Sequence, residues 1–167
     1  MNISKKNKTF IDKINNDKEL KELRDTLVKG QHPELLVVCC SDSRVVPELI
    51  LSCSLGEIFV IRTAGNIINE GELASISYAI EHLYIKHILI MGHTHCGAIH
   101  SVIHNESFKY MDPIANRIKN NIGDICDELE ASKLNALKEV EYLKEKFPKY
   151  DGIIESKIYD IETSIIY

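Results

Sequence analysis

The chain has 167 residues, 44% of them apolar and 27% charged, which is enough material for one domain of common size with a real core. Its 20 basic and 25 acidic side chains leave a formal charge of −5, and the basic residues are scattered rather than gathered on one stripe. This argues against nucleic acid or an anionic membrane surface as the main partner, and no segment approaches the roughly 20 apolar residues of a membrane span.

The first ten residues, MNISKKNKTF, are basic without an apolar stretch behind them, so no leader is expected and the chain reads as cytoplasmic. Between residues 9 and 28, Phe10, Ile11, Ile14, Leu20, Leu23 and Leu27 recur at helical spacing among Lys, Asp and Glu. That pattern predicts an N-terminal helical arm, broken near Asn15 and Asn16. GQHP then punctuates the chain before ELLVVCC, a run of buried-strand length. EIFVIR, Glu57 to Arg62, reads as a second strand ending in the turn-like TAGN, and HILIM as a third ending at Gly92. Between them Leu73, Ile76, Ala79, Ile80 and Leu83 fall three and four apart, which makes a helix face. Strand, connection, strand, helix, strand is the pattern of a parallel sheet with crossover helices.

Two further helices are predicted, over about 112–122 and 125–147, the second with Leu129, Leu134, Leu137, Val140 and Leu143 as its buried stripe. The tail GIIESKIYDIETSIIY alternates and predicts a strand pair closing the sheet. The expected fold class is α/β, a mostly parallel central β-sheet flanked by helices, with an N-terminal helical arm. One domain, 1–167, is expected: the arm in 1–30, the site-bearing core in 31–104, helices and closing strands in 105–167.

Five cysteines, at 39, 40, 53, 96 and 126, make an odd number too sparse for a disulfide scaffold. A reduced compartment is expected, and metal or catalytic use becomes the better reading. The first strand ends in Cys39-Cys40-Ser41-Asp42-Ser43-Arg44 and the third in Gly92-His93-Thr94-His95-Cys96-Gly97. Neighbouring parallel strands bring both ends to the carboxyl edge of the sheet, where open α/β sheets hold their ligands. His93 and Cys96, three apart, can face one ion, and thiolate with imidazole selects zinc over magnesium or calcium. A third ligand from the first strand would leave one position open. Cys39, Cys53 and Cys126 read as small buried hydrophobes. Cys40 instead precedes a charged pair; by strand alternation it points away from Cys39 and shares its side with Asp42.

CCSDSR, RTAGN and GHTHCGA, with His93 53 positions after Cys40, resemble the β-class carbonic anhydrases from about Gln31 to Gly97. IYDIETS resembles that family's closing strand and turn. The resemblance implies a zinc lyase that hydrates carbon dioxide reversibly to bicarbonate and a proton. One zinc ion per chain would be held by Cys40, His93 and Cys96. Asp42 paired with Arg44 would orient the attacking water; released from Arg44, Asp42 would become a fourth zinc ligand and close the site. Gln31 matches a donor to a substrate or bicarbonate oxygen, and Phe59 and Tyr78 match pocket walls. In the family these come partly across a subunit boundary, which implies a homodimer or higher homo-oligomer.

Arg62 is expected to hold the neighbouring turn, Ser43 to cap the following helix, and Gly92 and Gly97 to let the backbone pass close to the ion. His95 receives no role. Two rival readings stay open: hydrolysis of carbonyl sulfide or carbon disulfide at the same site, and a non-catalytic zinc-stabilised binding module in which Asp42 permanently fills the fourth position.

Overall fold

The computed structural model describes residues 1–106 and 109–167. Two compact units divide the chain, Met1–His32 and Pro33–Tyr167. The first is a helix pair, α1 (Ile3–Asn16) and α2 (Lys18–Leu27). The break falls at Asp17, which is extended and whose carboxylate accepts from the Leu20 amide at 3.0 Å. A side-chain cap of this kind satisfies an orphan amide and starts the second helix at Lys18, two residues after Asn16. Phe10 and Ile11 of the predicted apolar stripe remain exposed.

The second unit is built on four strands, β1 (Leu35–Cys40), β2 (Ile58–Thr63), β3 (His87–His93) and β4 (Ile153–Tyr159), in the order β2-β1-β3-β4. Every pairing is parallel, so the sheet is wholly rather than mostly parallel. β1 is central and apolar at each position because both of its faces are covered, as parallel strands usually are. Leu36 and Val38 join one core with Ile61, Ile76, Ile88, Ile90, Val140 and Leu143. Val37 and Cys39 point the other way, into a core with Val45, Leu89, Met91 and Tyr159. The connections carry α3 (Pro47–Ile50), a 3₁₀ turn (Ala64–Asn66), α4 (Glu70–Glu81), α5 (Gly97–Ile103), α6 (Asp112–Ile122) and α7 (Glu128–Lys146). At the mouth of α4 the Glu72 carboxylate reaches back to the Asn69 amide at 2.9 Å, half of a capping box.

Three expectations are corrected. The tail forms one strand, β4, paired in register with β3 from His87↔Ile153 to His93↔Tyr159, and only an isolated antiparallel bridge joins Tyr159 to Ile166. Asp160 turns the chain there, its carboxylate accepting from the Thr163 hydroxyl at 2.7 Å and the Glu162 amide at 3.0 Å. The short helix α5 was not expected, since seven residues carry too little periodicity to read. On α7 the buried face is Ala131, Ser132, Asn135, Ala136, Glu139, Val140 and Leu143, while Leu137 is exposed. Small residues allow α7 to lie close on β3: a Cβ on Gly92 would come within 2.8 Å of Ile158 Cδ1 and 3.3 Å of the Ser132 carbonyl.

Candidate metal centre

β1 ends on Cys40 and its neighbour β3 ends on His93, so the two expected halves of the site meet at the carboxyl edge of the sheet. Cys96 joins them through a tight turn. His95 adopts φ 56°, a left-handed conformation that histidine tolerates better than most side chains, and this returns the chain so that Cys96 heads α5. Cys40, His93 and Cys96 are all buried, and one donor atom of each lies within 4.8 Å of the other two.

The local hydrogen bonds prepare that donor set. His93 Nδ1 lies 2.9 Å from the Thr94 carbonyl, which can only accept, so Nδ1 carries the proton and Nε2 presents a lone pair. Nε2 is buried and has no hydrogen-bond partner among the described residues. An orphaned buried acceptor beside two thiols costs free energy unless something occupies it, and a soft divalent cation satisfies all three atoms together. The Gly65 amide donates to the Cys40 sulfur at 3.4 Å. The two thiols act on each other in opposite directions: the Cys96 thiol beside it draws Cys40 down, while Cys40, together with burial, pushes Cys96 up. Cys39, one residue away on the opposite face, is pushed up to about 12 by burial.

Beside the cluster, Arg44 grips Asp42 with two parallel bonds, Nε to Oδ1 at 3.0 Å and Nη2 to Oδ2 at 2.7 Å, and its backbone amide adds a third at 2.9 Å. Those bonds, led by the guanidinium, hold the Asp42 carboxyl down to about 2. The same guanidinium donates to the His95 carbonyl at 3.0 Å, tying the Asp42 loop to the turn that positions Cys96. Arg62 fixes the other side, donating from Nη2 to the carbonyls of Asp42 at 2.7 Å and Val45 at 2.6 Å.

The sequence pattern of the family described as "Carbonic anhydrase" matches residues 35–161. A carbonic anhydrase of Helicobacter pylori strain J99 is 33% identical over 184 residues, covering 92% of this chain and 83% of that protein. The β-class carbonic anhydrase family includes this chain. A carbonic anhydrase of Synechococcus elongatus is 48% identical over 89 residues, which cover 50% of this chain and 33% of that longer relative. Among solved structures, the β-carbonic anhydrase CafA of Aspergillus fumigatus superposes with a TM-score of 0.80 at 30% identity, over 97% of this chain and 86% of CafA.

Against that family background the remaining expected residues fall into place unevenly. Phe59 and Tyr78 face each other at 6.4 Å between ring centroids. Phe59 pairs with Leu36, four residues before Cys40, roughly 13 Å down the strand, so within one chain the two rings stand apart from the metal cluster. Gln31 is exposed and belongs to the N-terminal unit. Ser43 caps nothing, since α3 begins with an extended Val46 and Pro47. A Cβ on Gly97 would meet nothing within 4 Å, and Gly92 is required by packing against Ile158 of β4 and Ser132 and Ala136 of α7. Cys53 is half-buried and Cys126 exposed, unlike the buried hydrophobes expected.

A buried polar network behind the site escaped the sequence reading. Glu139 is fully buried and accepts from Arg117 at 2.9 Å, from Asn121 at 2.8 Å and from the Ile68 amide at 3.3 Å. Asn135, one turn earlier on α7, donates to the Gly65 carbonyl at 2.9 Å. The available signal was a polar pair at i and i+4 within the apolar pattern of a helix.

Proposed function

We propose that the protein catalyses reversible hydration of carbon dioxide to bicarbonate and a proton, using one zinc ion per chain held by Cys40, His93 and Cys96. The observation that carries this reading is the buried, unpartnered His93 Nε2 between two thiols, set next to a guanidinium-anchored carboxylate. Cys40, His93 and Cys96 would hold zinc, which when bound would supply a Lewis acid that lowers the pKa of water from 15.7 toward roughly 7.

The chain's own groups do the rest. Thr94 fixes the imidazole tautomer, the Gly65 amide helps draw the Cys40 thiol down, and the Ala98 and Ile99 amides oppose the Cys40 contact and burial that push Cys96 up, so the Cys96 proton would be displaced by a cation bound there. Asp42 stays ionised at any physiological pH and, with both oxygens pinned by Arg44, accepts a hydrogen bond from the attacking water and orients its lone pair toward the substrate carbon. Asp42 becomes a metal ligand only by leaving Arg44, which would forfeit two charge-assisted bonds. Its engagement with Arg44 counts against a permanently closed binding module. Gln31 donates to a substrate oxygen, and Phe59 and Tyr78 wall an apolar pocket across a subunit boundary of a homo-oligomer. Tyr78 is exposed within one chain, as a wall shared across such a boundary would be. Five free cysteines fit a reducing, cytoplasmic setting, and among the described residues no helix is long and apolar enough to cross a membrane.

Stopped-flow hydration of carbon dioxide by zinc-loaded protein tests the reading. Acceleration at about pH 8 is expected, falling in Asp42→Ala by the roughly 100-fold or more typical of a lost acid–base partner. A wild type that turns over carbon disulfide but leaves carbon dioxide at the uncatalysed rate would transfer the site to the sulfur substrates.

A further inference from the structure

We propose that His100, His104 and Glu128 form a second metal site, on the surface, for a divalent first-row ion of the zinc and nickel type. It shares no residue with the proposed catalytic centre and goes beyond it. His100 lies in α5 and His104 follows its last turn; the His104 amide donates to the His100 carbonyl at 3.0 Å, so the two side chains stand four apart on one helical face. Their rings lie 4.2 Å apart between centroids. Glu128, the first residue of α7, brings Oε1 to 2.6 Å from His100 Nδ1. One nitrogen of each imidazole and one carboxylate oxygen fall within 4.8 Å of one another.

Ligands at about 2.0–2.1 Å around a tetrahedral ion sit roughly 3.3 Å apart, so convergence requires side-chain movement of about 1 Å. The exposure of both histidines gives them room for it, and the first turn of α7 holds the carboxylate in reach. Two imidazoles with one carboxylate suit zinc, nickel or copper rather than magnesium or calcium, and a His pair at i and i+4 is a helical chelate. Glu106, whose charge also reaches His100, adds negative potential. A plain His100–Glu128 ion pair would have no use for the adjacent second imidazole, whose ring is tilted 46° to the first. His100 donates its amide to the Cys96 carbonyl at 2.9 Å, so the site stands one helical turn from the catalytic cluster.

The test uses untagged protein whose tight zinc content is measured first, so that failure of the catalytic centre is seen separately. Nickel chloride is then titrated calorimetrically into the zinc-loaded protein. The expected result is one additional equivalent bound, lost in His104→Ala, and weakened at least about tenfold in Glu128→Gln, with zinc content unchanged. In parallel amide spectra, paramagnetic broadening should centre on residues 97–104 and the start of α7. No nickel uptake up to about millimolar concentration, an unaltered isotherm in both variants, or broadening centred elsewhere would overturn the proposal.

Discussion

Asn135 on α7 donates to the Gly65 carbonyl at 2.9 Å, and the amide of the same glycine donates to the Cys40 sulfur at 3.4 Å. A helix more than 60 residues further along the chain is thereby coupled to the metal cluster through one turn residue. Truncation to Asn135→Ala leaves the Gly65 carbonyl buried without its partner and should cost about 1–3 kcal/mol, read as a lower urea midpoint at unchanged slope.

Gly65 itself is constrained twice. Its φ of 68° is left-handed, and an added Cβ would lie 3.0 Å from Ile118 Cδ1 and 3.3 Å from Ala98 Cβ. Gly65→Ala should therefore lower stability by about 1–2 kcal/mol or more, whereas Gly97→Ala, where nothing lies within 4 Å, should be neutral within about 0.5 kcal/mol. Paired thermal melts of the two variants check the contrast.

Glu139 is a fully buried carboxylate whose charge is matched by Arg117, and Arg117 also lies 3.8 Å over the Tyr142 ring. Removing the cation alone, in Arg117→Met, strands that charge and should cost about 3–5 kcal/mol; the double variant Arg117→Met, Glu139→Leu should recover a large part of the loss. Chemical denaturation of the three variants gives the coupling directly.

Asp42 is held at about 2 against its ordinary 3.8, chiefly by Arg44. A depressed carboxyl contributes stability that is complete above about pH 4 and is lost as the pH falls through about 2. The contribution is small because Arg44 is half-exposed and screened by solvent. Following the Asp42 carboxyl carbon by NMR should show a midpoint near 2 in wild type and a rise toward 3.8 in Arg44→Ala.

The strands and the two halves of the metal cluster were legible because their signals are local. β1 is a continuous apolar run, and Cys-x-Asp-x-Arg and His-x-x-Cys each sit on a strand end that a parallel sheet must bring together. The tail misled because strand alternation in IIESKIY continues into IETSIIY, while Asp160 with Thr163 turns the chain between them. The α7 stripe misled because its buried face is partly polar: Asn135 and Glu139 answer to Gly65, Arg117 and Asn121, partners 14 to 70 residues away. Likewise the role of His95 lies in its backbone, a left-handed turn whose carbonyl Arg44 holds, and side-chain chemistry alone gives no hint of it.

Zinc content and hydration rate, measured on the same preparations of wild type, Cys39→Ser and Cys96→Ser, test the central claim most directly. Wild type and Cys39→Ser should hold about one zinc per chain and accelerate carbon dioxide hydration, because Cys39 packs on the opposite face of β1. Cys96→Ser should lose the metal and the activity together, since a hydroxyl is a poor substitute for thiolate. A zinc-loaded wild type that stays at the uncatalysed rate between about pH 7 and pH 9, or a Cys96→Ser protein that keeps its zinc, would contradict the account.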